Sequence, residues 1–176
     1  MPTPKMPTEN EFKILRLIQA DHSTQGDINE KTGIEISSIS RAIKKLKISG
    51  HIKATKSVLN AEKFGLSTLA FVRFSLKDDS KSEMTKLSKI IKRHKYVQEV
   101  HRVAGKFDIL VKVRCPTNTD LSQFTDLIKS SENVKNSHTT IVTETFKETS
   151  DIYLDEPLPN EHALNVVPYS SDRPAP

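Results

Sequence analysis

The residues best suited to chemistry lie between Glu35 and Glu62, where six Lys or Arg residues occur without a single carboxylate. Apolar residues recur there at spacings of three and four, which predicts a helix with one buried stripe that ends before Gly50. The stripe consists of Ile36, Ile39, Ile43 and Leu46. Hydroxyl and cationic side chains, which bind phosphates and base edges, are left to the outer faces. We therefore predict six DNA contacts: Ser37, Ser38, Ser40, Arg41, Lys44 and Lys45.

The residues before this helix favour a helix-turn-helix. Thr24 can cap a preceding helix, with Asp27 in its first turn, and Gly33 lies where a helix often ends in a left-handed residue. A T-x-x-E capping box at Thr8 and Glu11 predicts a first helix that ends near residue 20. Alternating residues at 52–58 predict the short strands of a wing. The alternative is an amphipathic helix whose lysines only keep it solvated, but its acid-free face favours DNA.

Composition points to a polyanionic partner. The 176 residues carry a net charge of +5, distributed as +4 over residues 1–60, +5 over 61–148 and −4 over 149–176. A single cysteine, Cys115, excludes an intramolecular disulfide and a thiolate metal cage. Tryptophan is absent and aromatic residues make up only 6%, which favours duplex DNA over stacked single strands. Without a long apolar run or signal peptide, we expect a cytoplasmic protein that does not bind membranes.

The middle of the chain predicts a β-α-β-β-α-β order. Strands are expected at residues 69–76, 97–104, 109–115 and 137–146, with one helix from Ser80 to near His94 and another from Asn118 or Thr119. This order is typical of a ferredoxin-like sheet with two helices on one face. The chain is thus expected to be α+β, with a winged helix-turn-helix in residues 1–60, a ferredoxin-like domain in 61–148 and an acidic, proline-rich tail in 149–176.

Two further predictions concern surfaces. Leu69 and Phe71 lie on one face of the first strand, and Ala70, Val72 and Phe74 lie on the other. Apolar residues on both faces predict a homodimer through the sheet face that the helices leave open. For the tail, disorder is the default because of its composition, and docking on a neighbouring subunit is the alternative.

The histidines give no support for an enzyme. They do not have metal-ligand spacing, and His101 and His138 are expected on opposite edges of the sheet. Asp78 and Asp79 precede a helix and are typical of a turn. We therefore expect no catalytic residue, no metal and no cofactor. The lysine-rich helix at residues 86–95 is expected to be a solvated face rather than a second polyanion surface.

Several segments resemble the Lrp/AsnC family of feast/famine transcriptional regulators across residues 9–148. The first resemblance comprises Ile28, Gly33, Ile34, Arg41, Leu46, Gly50 and Ile52. The second is VQEVHRVAGKFDILVKV at residues 97–113, similar to the family's strand–glycine–aromatic–aspartate–strand segment, and the third is the final strand at 134–147. The resemblance implies a ligand-binding domain of the RAM type, dimers that assemble into octamers, pseudo-palindromic DNA sites and amino-acid effectors.

The same resemblance implies where an effector binds. The region comprises Gly105, Lys106, Phe107 and Asp108 of a loop with Ser137, Thr139 and Thr140 of the last strand. Glycine exposes backbone N–H groups to a carboxylate, and Asp108 could accept an ammonium. Members of the family often have an acid where this chain has Lys106, a change that disfavours a cationic effector, favours a neutral or acidic one, or abolishes sensing. The alternative is a plain hairpin turn in which Asp108 caps the backbone.

Three functions remain open at this point. The first is a sequence-specific regulator that responds to an amino acid or a related molecule. The second is a ligand-independent architectural DNA-binding protein, which requires the same cationic face. The third is an enzyme similar to the tetrapyrrole decarboxylases that resemble this family, and the histidine spacing disfavours it.

Overall fold

The computed structural model describes residues 6–20 and 24–154, which form two compact units. One unit contains the residues up to Lys56 together with those from Thr149 onward, and the other is Ser57–Glu148. The end of the tail, residues 155–176, lies outside the described residues, and so the predictions for it are not addressed by the structure.

The first unit contains three helices, α1 (Glu9–Gln19), α2 (Gln25–Thr32) and α3 (Ile36–Ile48). The predicted capping box is present, because the Thr8 hydroxyl accepts from the Glu11 N–H and the Glu11 carboxylate accepts from the Thr8 N–H. The Thr24 hydroxyl caps α2 by accepting from Asp27 N–H. The three helices bury a small core whose centre is Ile14, Ile28 and Ile39. Of the predicted stripe of α3, Leu46 is buried as well and Ile43 is partly buried, whereas Ile36 is 50% exposed. Leu15 and Ile18 of α1 are buried and partly buried, respectively.

A left-handed glycine forms the turn between α2 and α3. Gly33 has φ +68°, and its N–H donates to the Asn29 carbonyl at 2.7 Å. The Asn29 side chain then donates to the Ile34 carbonyl at 2.8 Å, which fixes the entry of the chain into α3. Glycine adopts this backbone conformation without the steric cost that a Cβ imposes.

The strands predicted for a wing are not formed. Residues 52–60 are all described and none of them belongs to a strand. A strand needs a partner with which to exchange backbone hydrogen bonds, and no described strand pairs with this segment. Alternation of apolar residues over so few positions was therefore not sufficient to predict a ladder.

A charged pair also joins α1 to α3. The Lys45 Nζ lies 2.7 Å from a carboxylate oxygen of Glu11, whose side chain is 8% exposed. The hydrogen bond from Lys45, followed by that from the Thr8 backbone, lowers the pKa of Glu11 below its ordinary value. Lys45 thus has a structural partner within its own unit, which corrects the prediction that every cation of α3 is uncompensated.

The second unit has the predicted β-α-β-β-α-β order, preceded by a short 3₁₀ turn (Ala61–Phe64). Its elements are β1 (Thr68–Leu76), α4 (Lys81–Lys92), β2 (Val97–Arg102), β3 (Ile109–Cys115), α5 (Asn118–Lys129) and β4 (Val134–Ile141). The strand order is β2-β3-β1-β4 with antiparallel neighbours, as in a ferredoxin-like sheet. The two helices cover one face, where Val72, Phe74 and Val111 are fully buried.

The last strand occupies an earlier part of the chain than predicted. It runs over Val134–Ile141 instead of residues 137–146, and a shift in its register with β1 lies between Ser75 and Leu76. Beyond Ile141 only one more ladder bond forms, from Val142 N–H to the Leu69 carbonyl, because β1 begins at Thr68. In this register β1 has no residue to pair with β4 beyond about position 143, which is short of the predicted end at 146.

Replacing Gly33 by alanine should destabilise the first unit by about 1–2 kcal/mol, because a Cβ is disfavoured at its left-handed φ. The matched control is Gly26→Ala in α2. Gly26 does not have a positive φ, and the nearest atom to an added Cβ lies 3.7 Å away, so alanine there should stabilise the helix by about 0.5–1 kcal/mol. Native-state hydrogen exchange in α2 and α3 would measure both effects. Equal effects of the two substitutions would contradict the assigned role of Gly33.

Glu11→Gln should destabilise the first unit by about 1–2 kcal/mol at neutral pH, since a charge-assisted hydrogen bond to Lys45 is lost. The folded-state pKa of Glu11 is lowered, so its stabilisation is present above the ordinary value of 4.5. It is lost as the pH falls through the lowered pKa, and the difference between wild type and variant should then narrow. The control Glu9→Gln removes an exposed pair with Lys13 and should have a much smaller effect. Hydrogen exchange across this pH range would show whether the difference narrows.

Candidate functional site

The outer face of α3 is polar and cationic. Burial of Ile39 and Leu46 on one side of the helix directs Ser37, Arg41 and Lys44 to the opposite side, and all three are exposed. The remaining predicted contacts lie on the flanks of that face: Ser40 on one side, and Ser38 and Lys45 on the other. The six predicted residues therefore share one helix, but only three of them lie at the centre of its exposed surface.

Hydrogen bonds join the first turn of α3 to Arg41. The Arg41 Nε donates to the Ser37 carbonyl at 3.3 Å and its Nη2 donates to the Ser38 hydroxyl at 3.2 Å. These contacts are exposed, so an incoming phosphate or base could replace them. In addition, Glu35 caps the helix without a side-chain hydrogen bond. The beginning of α3 thus presents backbone N–H groups, hydroxyls and a guanidinium to the same region, a combination suited to anions.

In the second unit, Asp108 of the loop at residues 105–108 forms hydrogen bonds with backbone groups of its neighbours. Its N–H donates to the Phe74 carbonyl at 2.9 Å, and a carboxylate oxygen accepts from the Leu76 N–H at 2.8 Å. Its carbonyl accepts from Val103 N–H at 3.0 Å. Asp108 therefore caps the backbone at the end of β1, as the alternative interpretation predicted. Part of its hydrogen-bonding capacity is used within the fold rather than left for an ammonium group.

Phe107 brings the loop close to the last strand. Its ring lies 6.2 Å from the ring of His138, and the guanidinium of Arg73 lies 6.0 Å from its centroid. The Lys106 ammonium lies 5.8 Å from the same ring. Arg73 also donates to the Thr140 hydroxyl at 3.3 Å. An aromatic ring with several neighbouring cationic or titratable groups provides a surface on which an anionic group could bind.

The predicted effector residues of β4 do not share a face. Thr140 is opposite Phe71 and therefore lies on the open face of the sheet, near Arg73. Ser137 and Thr139 are opposite Phe74 and Val72, which point to the helix-covered side. The structure therefore does not bring the three residues together on one face, and their role in binding an effector stays a prediction. Gly105, Lys106, Phe107 and Thr140 remain candidates, and Arg73 and His138 join them. The sequence could have singled out Arg73, because it is a charged residue within an otherwise apolar strand.

The open face also carries an ion-pair cluster. Lys112 and Arg114 of β3 have side chains that are 15% and 11% exposed, and both contact the Glu148 carboxylate, with Arg114 at 2.8 Å. The hydrogen bond from Lys112 lowers the pKa of Glu148. The chain after β4 thus covers part of the open face, where the sequence predicts only a homodimer partner.

The titratable groups of the described residues show no arrangement typical of catalysis. His101 and His138 lie on β2 and β4, the two edge strands, as predicted. Within residues 6–20 and 24–154, no group of three His, Cys, Asp or Glu side chains could hold a metal ion. Burial raises the pKa of the Cys115 thiol, which disfavours the reactive thiolate. No helix in the described part of the chain is long and apolar enough to span a membrane.

Comparisons with known proteins agree with this architecture. Residues 69–152 match the model of the Lrp/AsnC ligand binding domain. The chain is 36% identical over 141 residues to the HTH-type transcriptional regulator FL11 of Pyrococcus furiosus, an alignment that covers 80% of this chain and 91% of that protein.

Two solved structures share the fold. One is an AsnC family transcriptional regulator from Agrobacterium tumefaciens, with a TM-score of 0.78 and 22% identity over 84% of this chain and 97% of that one. The other is a transcriptional regulator of Neisseria meningitidis in complex with L-methionine, with a TM-score of 0.79 and 21% identity over 85% and 98%. The identity to FL11 over most of both chains, the matched ligand-binding domain and the β2-β3-β1-β4 sheet lead to one conclusion: the chain belongs to the Lrp/AsnC family of transcriptional regulators.

Proposed function

We propose that the chain regulates transcription by binding specific sites in duplex DNA, with α3 as the recognition helix of a helix-turn-helix. The observation that carries this proposal is the exposed face of Ser37, Arg41 and Lys44, on a helix without acidic residues. An α-helix fits the major groove, where arginine and serine can bind base edges and phosphates. FL11, which is 36% identical, is itself named an HTH-type transcriptional regulator.

Binding by a homodimer, or by a larger assembly such as an octamer, is part of the same proposal. The open face of the sheet contains Phe71 and Leu110, which are only half-buried in one protomer, whereas Leu69 on the same face is already buried. Their apolar surface supports a second copy as the partner of this face, and the salt-bridged Lys112 and Arg114 lie beside it. A symmetric dimer presents two recognition helices to a pseudo-palindromic site.

For the effector, we propose a neutral or acidic amino acid. Arg73 and Lys106 surround the Phe107 ring with positive charge, which favours a carboxylate and disfavours a cationic side chain. Two transcriptional regulators of similar fold, one from Neisseria meningitidis and one from Mycobacterium tuberculosis, have been solved with L-methionine. These complexes support an amino acid as the class of ligand. A cytoplasmic location and the lack of enzymatic activity are further parts of the proposal.

A ligand-independent architectural protein is the second candidate, because the same cationic face could bind DNA of any sequence. Competition with nonspecific duplex distinguishes the two functions. A regulator on its own site should be displaced only by a large excess, of the order of 10³-fold or more, whereas an architectural protein should be displaced by comparable amounts.

Arg41→Ala and Lys44→Ala should each weaken DNA binding by about tenfold, because each removes phosphate or base contacts from both protomers. If a dimer neutralises about six phosphates, log K should fall against log salt with a slope near −5, and Lys44→Ala should make this slope shallower by about one unit per lost contact. Fluorescence anisotropy with a labelled duplex at several salt concentrations would measure both quantities.

The matched control is Lys89→Gln, on the lysine-rich α4 of the other unit. It should leave affinity and slope unchanged if that helix is only a solvated face. A salt-independent affinity, or an equal loss from Lys89→Gln and Lys44→Ala, would contradict the assignment of α3 as the DNA-binding helix.

Titration calorimetry should detect binding of a neutral or acidic amino acid, such as L-methionine or L-glutamate, and no binding of L-lysine. Arg73→Gln should abolish that heat, since it removes the cation beside Phe107 and Thr140. Arg93→Gln, at the exposed end of α4, is the control and should bind as the wild type does. Absence of heat with all twenty amino acids would contradict the effector proposal and would favour ligand-independent binding.

A further inference from the structure

The last described residues of the chain are attached to the helical unit. Residues 149–154 lie against α1, where the Gln19 carboxamide forms two hydrogen bonds with the backbone of Ile152. Its Nε2 donates to the Ile152 carbonyl at 3.1 Å, and its Oε1 accepts from the Ile152 N–H at 3.0 Å. Arg16 Nε donates to the Leu154 carbonyl at 2.5 Å. Both anchoring side chains belong to the C-terminal half of α1.

These contacts attach the segment through its backbone rather than through apolar burial. The side chains of Ile152 and Tyr153 remain 67% and 72% exposed. These hydrogen bonds exchange with water, and each contributes about 1 kcal/mol, or somewhat more for the one from the charged Arg16. The attachment fixes where the following residues begin, namely in the unit that contains α3.

Those following residues are opposite in charge to the exposed face of α3. Residues 155–176 contain four carboxylates, Asp155, Glu156, Glu161 and Asp172, and a single cation, Arg173. On α3, Lys44 and Lys47 are exposed, and the hydrogen bonds of Arg41 to the Ser37 carbonyl and the Ser38 hydroxyl stay within its own helix. Opposite charges held at short distance attract strongly at low ionic strength and weakly at high ionic strength.

The available chain is long enough to reach α3. Eleven residues of α1 span about 16 Å, and packed helices lie about 8–10 Å apart. Twenty-two residues can extend to about 70 Å, so a segment that starts at Leu154 can reach any point on the surface of this small unit. A tethered segment also has an effective concentration in the millimolar range, at which even weak binding becomes substantially populated.

We propose that residues 155–176, held at α1 by Gln19 and Arg16, bind the cationic face of α3 in their own chain and compete with DNA for it. This inference rests on the proposed function of α3. The acidic segment occupies the place of the phosphate backbone, lowers the apparent affinity for every duplex by the same factor, and is displaced when DNA binds.

Removal of residues 155–176, with Leu154 as the last residue, should tighten binding to a labelled duplex by about 3- to 10-fold at low salt. The gain should disappear at several hundred millimolar salt, where the attraction is screened. A full-length variant with Asp155→Asn, Glu156→Gln, Glu161→Gln and Asp172→Asn should show the same gain, which separates charge from length. If both variants bind the duplex as the wild type does, the proposed competition between residues 155–176 and DNA is overturned. If no form of the protein binds DNA, the proposed function of α3 is overturned as well.

A charge-neutral change tests the anchor. Gln19→Ala removes both hydrogen bonds to Ile152 and should produce part of the same gain in DNA affinity, because the acidic segment is then less concentrated near α3. The matched control is Gln123→Ala, an exposed glutamine of α5 in the other unit, which should have no effect. A gain from neither substitution, or from both equally, would overturn the role of Gln19.

A measurement without DNA tests the contact itself. A spin label on Asn160→Cys should broaden the amide signals of residues 37–49 in low salt and not in high salt, and the buried Cys115 should remain unlabelled. Absence of broadening would overturn the proposal. Mixing isotope-labelled protein with spin-labelled protein identifies the subunit that is contacted. If the broadening arises only between different chains, the segment acts on a partner subunit and the assignment to its own chain is wrong.

Discussion

The proposed DNA-binding surface depends on how α3 is buried. Ile39 and Leu46 are almost completely removed from solvent, and the helix has no freedom to rotate without exposing them. Since side chains on a helix are separated by 100° per residue, burial of these two positions forces Ser37, Arg41 and Lys44 outward. The Gly33 turn and the Glu11–Lys45 pair then fix α3 against its neighbours. A recognition surface formed in this way depends more on the small core beneath it than on contacts among the cations themselves.

The parts of the fold that follow from local rules were predictable from the sequence. Thr8 and Thr24 cap the helices that their spacing predicts, and β3 covers the predicted residues, because the information lies within a few residues of each boundary. The chain order β-α-β-β-α-β also follows from periodicity, and with it the placement of His101 and His138 on opposite edges. Such signals require no knowledge of which elements contact each other.

Features that depend on distant partners were not predictable in the same way. Glu11 and Lys45 are 34 residues apart in sequence, and only the packing of α1 on α3 brings them together. The face on which Thr140 lies depends on its register with Phe71, and a register shift of one residue would reverse it. The end of β4 depends on the length of β1, and the missing wing depends on the absence of a pairing strand. In each case the local pattern in the sequence indicates a candidate residue or strand, while a tertiary contact determines what it does.

Carboxylates in this chain are positioned where they neutralise particular cations. Glu11 neutralises Lys45 at the edge of α3, and Glu148 neutralises Lys112 and Arg114 on the sheet. Each of these acids is partly or fully withdrawn from solvent and has a lowered pKa, so it stays ionised at a lower pH than an ordinary glutamate does. Among the described residues, the structure pairs no carboxylate with the cations at the centre of the α3 face. Positive charge that the folded units do not neutralise is available to a polyanion. In our proposals two polyanions bind it: DNA and the acidic end of the chain.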